Sequence, residues 1–87
     1  MIINDDAYQR AQRAIADLKS AVWSVLVNGP TEGLRNSDIG RALGIYFGHV
    51  EHQGHVSRSV LALMQADGTV KQDPATKRWQ IRSHPES

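Results

Sequence analysis

The spacing of apolar positions changes along this chain, and each change marks an element. From about Asp5 to Val27 the apolar residues recur at helical intervals. At about 100° per residue, Ala7, Ala11, Ala14, Ile15, Leu18, Val22 and Val25 share one face. Gln9, Arg10, Arg13, Asp17 and Ser24 fall opposite. Asn4, Asp5 and Asp6 offer cap oxygens and negative charge at the helix's positive end. Asn28-Gly29-Pro30 stops it, because proline cannot continue a helix. A shorter helix lies within LRNSDIGRALG, residues 34–44. Asn36 is the expected N-cap, Asp38 the first-turn charge, Ile39, Ala42 and Leu43 the apolar stripe, and Gly44 the terminating glycine. Leu34 is expected to fold back onto that stripe.

Residues 45–54 read as a connection with glycines at 48 and 54. A third helix is expected from about His55 to Asp67, ended by Gly68. Val56, Val60, Leu63 and Met64 face inward, with Leu61 at the edge, while His55, Arg58, Ala62 and Gln65 face out. The period then falls from 3.6 to 2. Val70, Trp79 and Ile81 alternate with Lys71, Arg78, Gln80 and Arg82 across the turn composition Asp73-Pro74-Ala75-Thr76. Residues 83–87 carry no pattern and read as a flexible tail. The expectation is a mainly α chain with a small β-hairpin (α+β), a single domain over residues 5–82.

Composition narrows the function classes. The chain has 87 residues, 40% hydrophobic, 22% charged and without cysteine, so no disulfide supports its small core. Residues 21–27 form the longest apolar run, well short of the about 20 that cross a bilayer. The amino terminus carries acids where a secretory signal needs lysines. No membrane partner and a cytoplasmic location are the expectation. Small size leaves little surface for a deep catalytic pocket. No Gly-rich phosphate loop, nucleophile triad or nuclease-type carboxylate pair is present, and Asp73 and Lys77 share a turn without a further acidic ligand. No enzymatic role and no cofactor are expected.

Helix, short capped helix, connection, helix and hairpin is the element order of a winged helix-turn-helix. The segments LRNSDIGRALGI and HVSRSVLALMQADGTVKQDPATKRWQIR resemble such domains over about residues 31–82. They are similar to winged modules attached to bacterial restriction endonucleases and to small bacterial repressors. The connection at 45–54 departs from that pattern, being longer than the usual turn of about three or four residues. The resemblance implies double-stranded DNA as the partner, read by the helix at 55–67 and held by a basic wing at 69–82.

The residue chemistry agrees with that expectation. Arg58 can donate twice to guanine and Gln65 can pair with adenine, while His55, Ser57 and Ser59 can reach bases or phosphate and Ala62 lies between them. Lys71, Lys77, Arg78 and Arg82 suit backbone phosphates, as do Ser37 and Arg41 on the short helix. Net charge is only +1, but residues 34–87 hold seven Lys or Arg against five acids, and the first 33 hold three against four. Lysine on an exposed strand also blunts edge pairing, and a winged helix that docks a protein is the alternative function. His49, His52 and His55 form an H-x-x-H-x-x-H series with Glu51 inside it. The flanking glycines and the spacing give it no dependable ligand geometry, and no metal site is expected. Trp23 lies off the first helix's stripe, with Ala16 and Val27. That line either caps the core margin or joins a homodimer.

Overall fold

The computed structural model describes residues 5–47 and 54–82. Among them are helix α1 (Asp5–Val27), helix α2 (Asn36–Ala42), helix α3 (His55–Asp67) and strands β1 (Val70–Gln72) and β2 (Trp79–Ile81). The strands pair antiparallel, with Val70 opposite Ile81, Lys71 opposite Gln80 and Gln72 opposite Trp79. The α+β layout read from the sequence is the one observed. The segment 83–87, expected as a tail, lies outside the described residues.

Every element contributes to one core. Val22 and Leu26 come from α1, Ile39 from α2, Val60, Leu61 and Met64 from α3, and Val70 and Trp79 from the hairpin. Leu18, Val25, Leu34, Leu43 and Ile81 pack around them. The helical wheel of α3 is rotated from the expected one. Leu61, expected at the edge, is fully buried, and so is Ser57, while Leu63 is 45% exposed. The reason is that α3 packs on three sides at once, against α1, α2 and β1. A stripe drawn for a single neighbour misses the residue in the middle.

The sheet gains a partner that hairpin reasoning did not anticipate. Leu34 forms an isolated antiparallel bridge with Trp79, its N–H donating to the Trp79 carbonyl at 3.0 Å and its carbonyl accepting from the Trp79 N–H at 2.6 Å. So β2 gains a partner on its second edge at Trp79, and the α1–α2 connection is sewn to the hairpin. Gly33 makes this approach possible. Its φ is +90°, and a Cβ there would lie 2.3 Å from the Trp79 carbonyl oxygen, so no other residue fits without displacing the strand. Two side chains repeat the seam: Arg78 donates to the Gly33 carbonyl at 3.0 Å and Gln80 to the Glu32 carbonyl at 3.0 Å.

The helix ends follow local rules. At both α2 and α3 the amides that follow turn back onto the last turn. Gly44 N–H reaches Arg41 O and Ile45 N–H reaches Gly40 O; Gly68 N–H reaches Gln65 O and Thr69 N–H reaches Met64 O. This paired pattern satisfies otherwise orphaned carbonyls. The start of α2 corrects the expectation. Arg35, not Asn36, is the N-cap, and its N–H donates to the Asp38 carboxylate at 3.1 Å. Asn36 is the first helical residue, and its side chain is used elsewhere.

Trp79 sits at the crossing of sheet, bridge and core, 6% exposed. Trp79→Ala is expected to lower unfolding free energy by about 3–5 kcal/mol, checked by urea unfolding followed by circular dichroism.

Candidate nucleic-acid interface

The surface predicted to read DNA is built on α3. His55, Arg58, Ser59, Ala62 and Gln65 are all exposed. Their spacing by three and four residues puts them on one outward side of the helix. Ser57 is the exception and is withdrawn from that surface. It is fully buried, its hydroxyl donating to Asn36 Oδ1 at 2.8 Å and lying 3.1 Å from the Gly54 carbonyl. The position lies on the helix's inner side, where a small hydroxyl holds two elements together.

That contact belongs to a joint that sequence reasoning missed. Asn36 Nδ2 donates to the Gly54 carbonyl at 3.0 Å while its Oδ1 accepts from Ser57. One amide at the start of α2 therefore grips both the first turn of α3 and the residue before it. Gly54 has φ +82°, and a Cβ there would meet Asn36 Nδ2 and the Tyr46 ring, both at 2.7 Å. Its carbonyl also accepts the Arg58 N–H at 3.0 Å, closing the first α-helical turn of α3. The available signal was Asn36 itself. It was read as a cap because asparagine before a helix usually serves its own backbone, and the long-range partner, eighteen residues on, leaves no local trace.

Aromatic residues line the same end. The Arg41 guanidinium stands 4.6 Å from the Tyr46 ring centroid, a cation–π contact of about 0.5–1 kcal/mol at an exposed site. Phe47, 52% exposed, meets the His55 ring edge-on at 6.5 Å between centroids. Tyr46 and Phe47 belong to the segment whose sequence reads as a connection. Ser37 is half-buried and Arg41 exposed, both on α2.

The hairpin places its cations unequally. Lys71, Lys77 and Arg82 are exposed. Arg78 is half-buried and holds the Gly33 carbonyl, so part of its donor capacity serves the fold. Lys77 adopts φ +65°, a left-handed conformation uncommon outside glycine. The turn before it supports that geometry. The Asp73 carboxylate accepts from the Ala75 N–H at 2.8 Å and the Thr76 N–H at 3.1 Å, and the Asp73 carbonyl accepts from the Lys77 N–H at 2.8 Å. Those two amides, Thr76 first, hold the Asp73 carboxyl below its ordinary value of 3.8. Lys71 also lines an open groove of about 440 Å³ with Val27, Pro30, Gln80 and Ile81.

Among the described residues, no three histidine, aspartate or glutamate side chains gather to hold a metal. His49, His52 and Glu51 lie outside the described residues. No described helix is long and apolar enough to cross a membrane. No protein-family model, no curated protein and no solved structure matches this chain.

Two predictions follow from the joint and the turn. Asn36→Ala and Ser57→Ala are each expected to cost about 1–3 kcal/mol, because each leaves a partner unsatisfied. In the double variant the cost is expected to fall short of the sum, as measured by chemical unfolding of all four proteins. For Asp73, a lowered folded-state pKa means that the charged carboxylate stabilises the fold. Its contribution is complete above about pH 3.8 and lost as pH falls through the lower folded value. Asp73→Ala should therefore destabilise at neutral pH, with the difference from the wild type shrinking as pH falls below 3.8, as read from thermal midpoints across that range.

Proposed function

We propose that this chain is a sequence-reading, double-stranded DNA-binding module with no chemistry of its own. It serves as a small transcription regulator or as the specificity domain of a restriction-type system, in the cytoplasm where the DNA is. The observation that carries the reading is the separation of duties on α3. Ser57, Val60, Leu61 and Met64 are buried, and His55, Arg58, Ser59, Ala62 and Gln65 are exposed together. A helix held by its neighbours with polar side chains outward can enter the B-DNA major groove and meet base edges there. Cations on the wing suit the flanking phosphates. Two copies joined through α1 would present two such helices to a palindromic site.

A second reading, a winged helix that docks a protein, has one observation in its favour. Trp23 and Val27 are 44% and 49% exposed, and Val27 borders the groove beside the end of α1. An apolar edge on a groove suits a protein partner better than it suits DNA.

Titration on a selected site and on random duplex, at two salt concentrations, separates the readings. Arg58→Ala is expected to cost about 1–3 kcal/mol on the selected site and much less on random duplex. Lys77→Ala is expected to weaken both about equally and to reduce the salt slope by roughly one. Ala62→Glu sets a carboxylate against the groove and should oppose binding on every sequence. Unchanged affinity in both Arg58→Ala and Ala62→Glu would turn α3 away from DNA and favour the docking reading.

A further inference from the structure

Helix α1 is longer than the body it packs against. It joins the core through Leu18, Val22, Val25 and Leu26. From Asp5 to Ala14 every residue is exposed, and Ile15 is half-buried. At about 1.5 Å per residue, roughly 15 Å of helix stands clear of the body. The apolar stripe does not stop where the body does. Tyr8, Ala11, Ile15, Leu18, Val22 and Val25 follow one another at alternating intervals of three and four residues, the repeat of a helix that packs along another helix. The second half of this stripe finds its partners in the core. The first half is uncovered, with Tyr8 60% exposed.

We propose that the uncovered half is an interface for a second copy of this chain, two α1 helices lying antiparallel over Tyr8 and Ala11. The size order favours a second copy. Reversed about a point between Gln9 and Arg10, Tyr8 of each helix lies across Ala11 of the other, so a large residue meets a small one twice. A two-fold interface demands that reciprocity. A parallel pair would set Tyr8 on Tyr8 and leave a gap at Ala11. Charge order agrees. Of the positions flanking the stripe, Ala7, Gln12 and Ala14 are uncharged, and the antiparallel register sets Asp5 beside the other copy's Gln12 rather than its Asp5. Asp6, Arg10, Arg13 and Asp17 lie on the opposite side, where Asp6 and Arg10 already pair with each other. Two copies thus meet without like charges, and a strongly charged partner finds nothing here to answer it.

The expected dimer line of Ala16, Trp23 and Val27 faces another way. Its two large residues, Trp23 and Val27, are 44% and 49% exposed, and Val27 borders the groove. The proposal rests on the second-copy part of the proposed function and is independent of DNA binding. A contact of this length falls below the roughly 1,200 Å² of a standard interface, so the dimer is weak and concentration-dependent.

Sedimentation equilibrium of the full chain, from micromolar to millimolar, tests it. The wild type is expected to self-associate. Tyr8→Ala is expected to raise the dissociation constant about tenfold or more, and Tyr8→Glu to abolish the dimer. Circular dichroism is expected to show both variants folded, since Tyr8 touches no core residue. Trp23→Ala should leave the dissociation constant unchanged. Orientation is read by mixing Asp5→Cys and Gln12→Cys chains, which is clean because the chain has no cysteine. Antiparallel packing gives the mixed cross-link, and parallel packing gives each variant linked to itself. Three results overturn the proposal: a monomer at every concentration, a dimer broken by Trp23→Ala but not by Tyr8→Ala, or self-linked products only. The first removes the second copy altogether, while the other two keep it and move the surface.

Discussion

The structure depends on one backbone exchange, between Leu34 and Trp79. Two hydrogen bonds there bind the segment after α1 to the return strand of the hairpin. They hold the tryptophan ring over the core while Leu34 closes its side. A hairpin of three-residue strands has marginal stability on its own. It is held here because β2 gains a partner on its second edge at Trp79 and because Val70, Trp79 and Ile81 face a helical layer. The exchange also explains why Gly33 must be glycine, and why the outward-facing Arg78 and Gln80 spend donors on the carbonyls of Gly33 and Glu32. The seam adds backbone hydrogen bonds between the hairpin and the α1–α2 connection to the side-chain packing of the core.

A second joint sets the direction of α3. Asn36 reaches from the head of α2 to the Gly54 carbonyl and the Ser57 hydroxyl. At the far end, Lys19 of α1 pairs with Asp67 at 2.8 Å. That pair is partly solvated and worth at most about 1 kcal/mol, so it steadies the helix end without determining the fold. The Asn36 joint is part-buried, and its polar atoms have no comparable alternative in water. The angle of α3 against α2 is therefore fixed mainly at its N-terminal end, beside Phe47 and His55.

Much of this was legible in the sequence. The bounds of α1 and α3, the hairpin and its alternation, and the glycines after α2 and α3 all follow from periodicity and local stop signals. These are short-range features, and the chain declares them locally. What was hidden is long-range. Leu61 and Ser57 were misjudged because a helix packed on three sides has a wider buried arc than a wheel with one neighbour suggests. Asn36 was taken for a cap because its true partners lie across the fold. Leu34 was assigned to the α2 stripe, and its pairing with Trp79 could not be inferred from a single apolar residue after a glycine. The candidate surface was read better than the joints beneath it. Exposed positions follow by default once the buried ones are assigned, and of the α3 residues chosen only Ser57 fell on the wrong side.

The division within α3 has a consequence for how such a chain can change. Four inward positions, with Asn36 and Gly54 behind them, hold the helix in place, while its outward positions take no part in the core. Side chains at 58, 62 and 65 can be exchanged together without touching a packed neighbour. A library varied at those sites would sample new surfaces on an unaltered scaffold. The fold thus makes the outward side of α3 cheap to rewrite, so two proteins of this architecture could have nearly identical interiors and unrelated preferences.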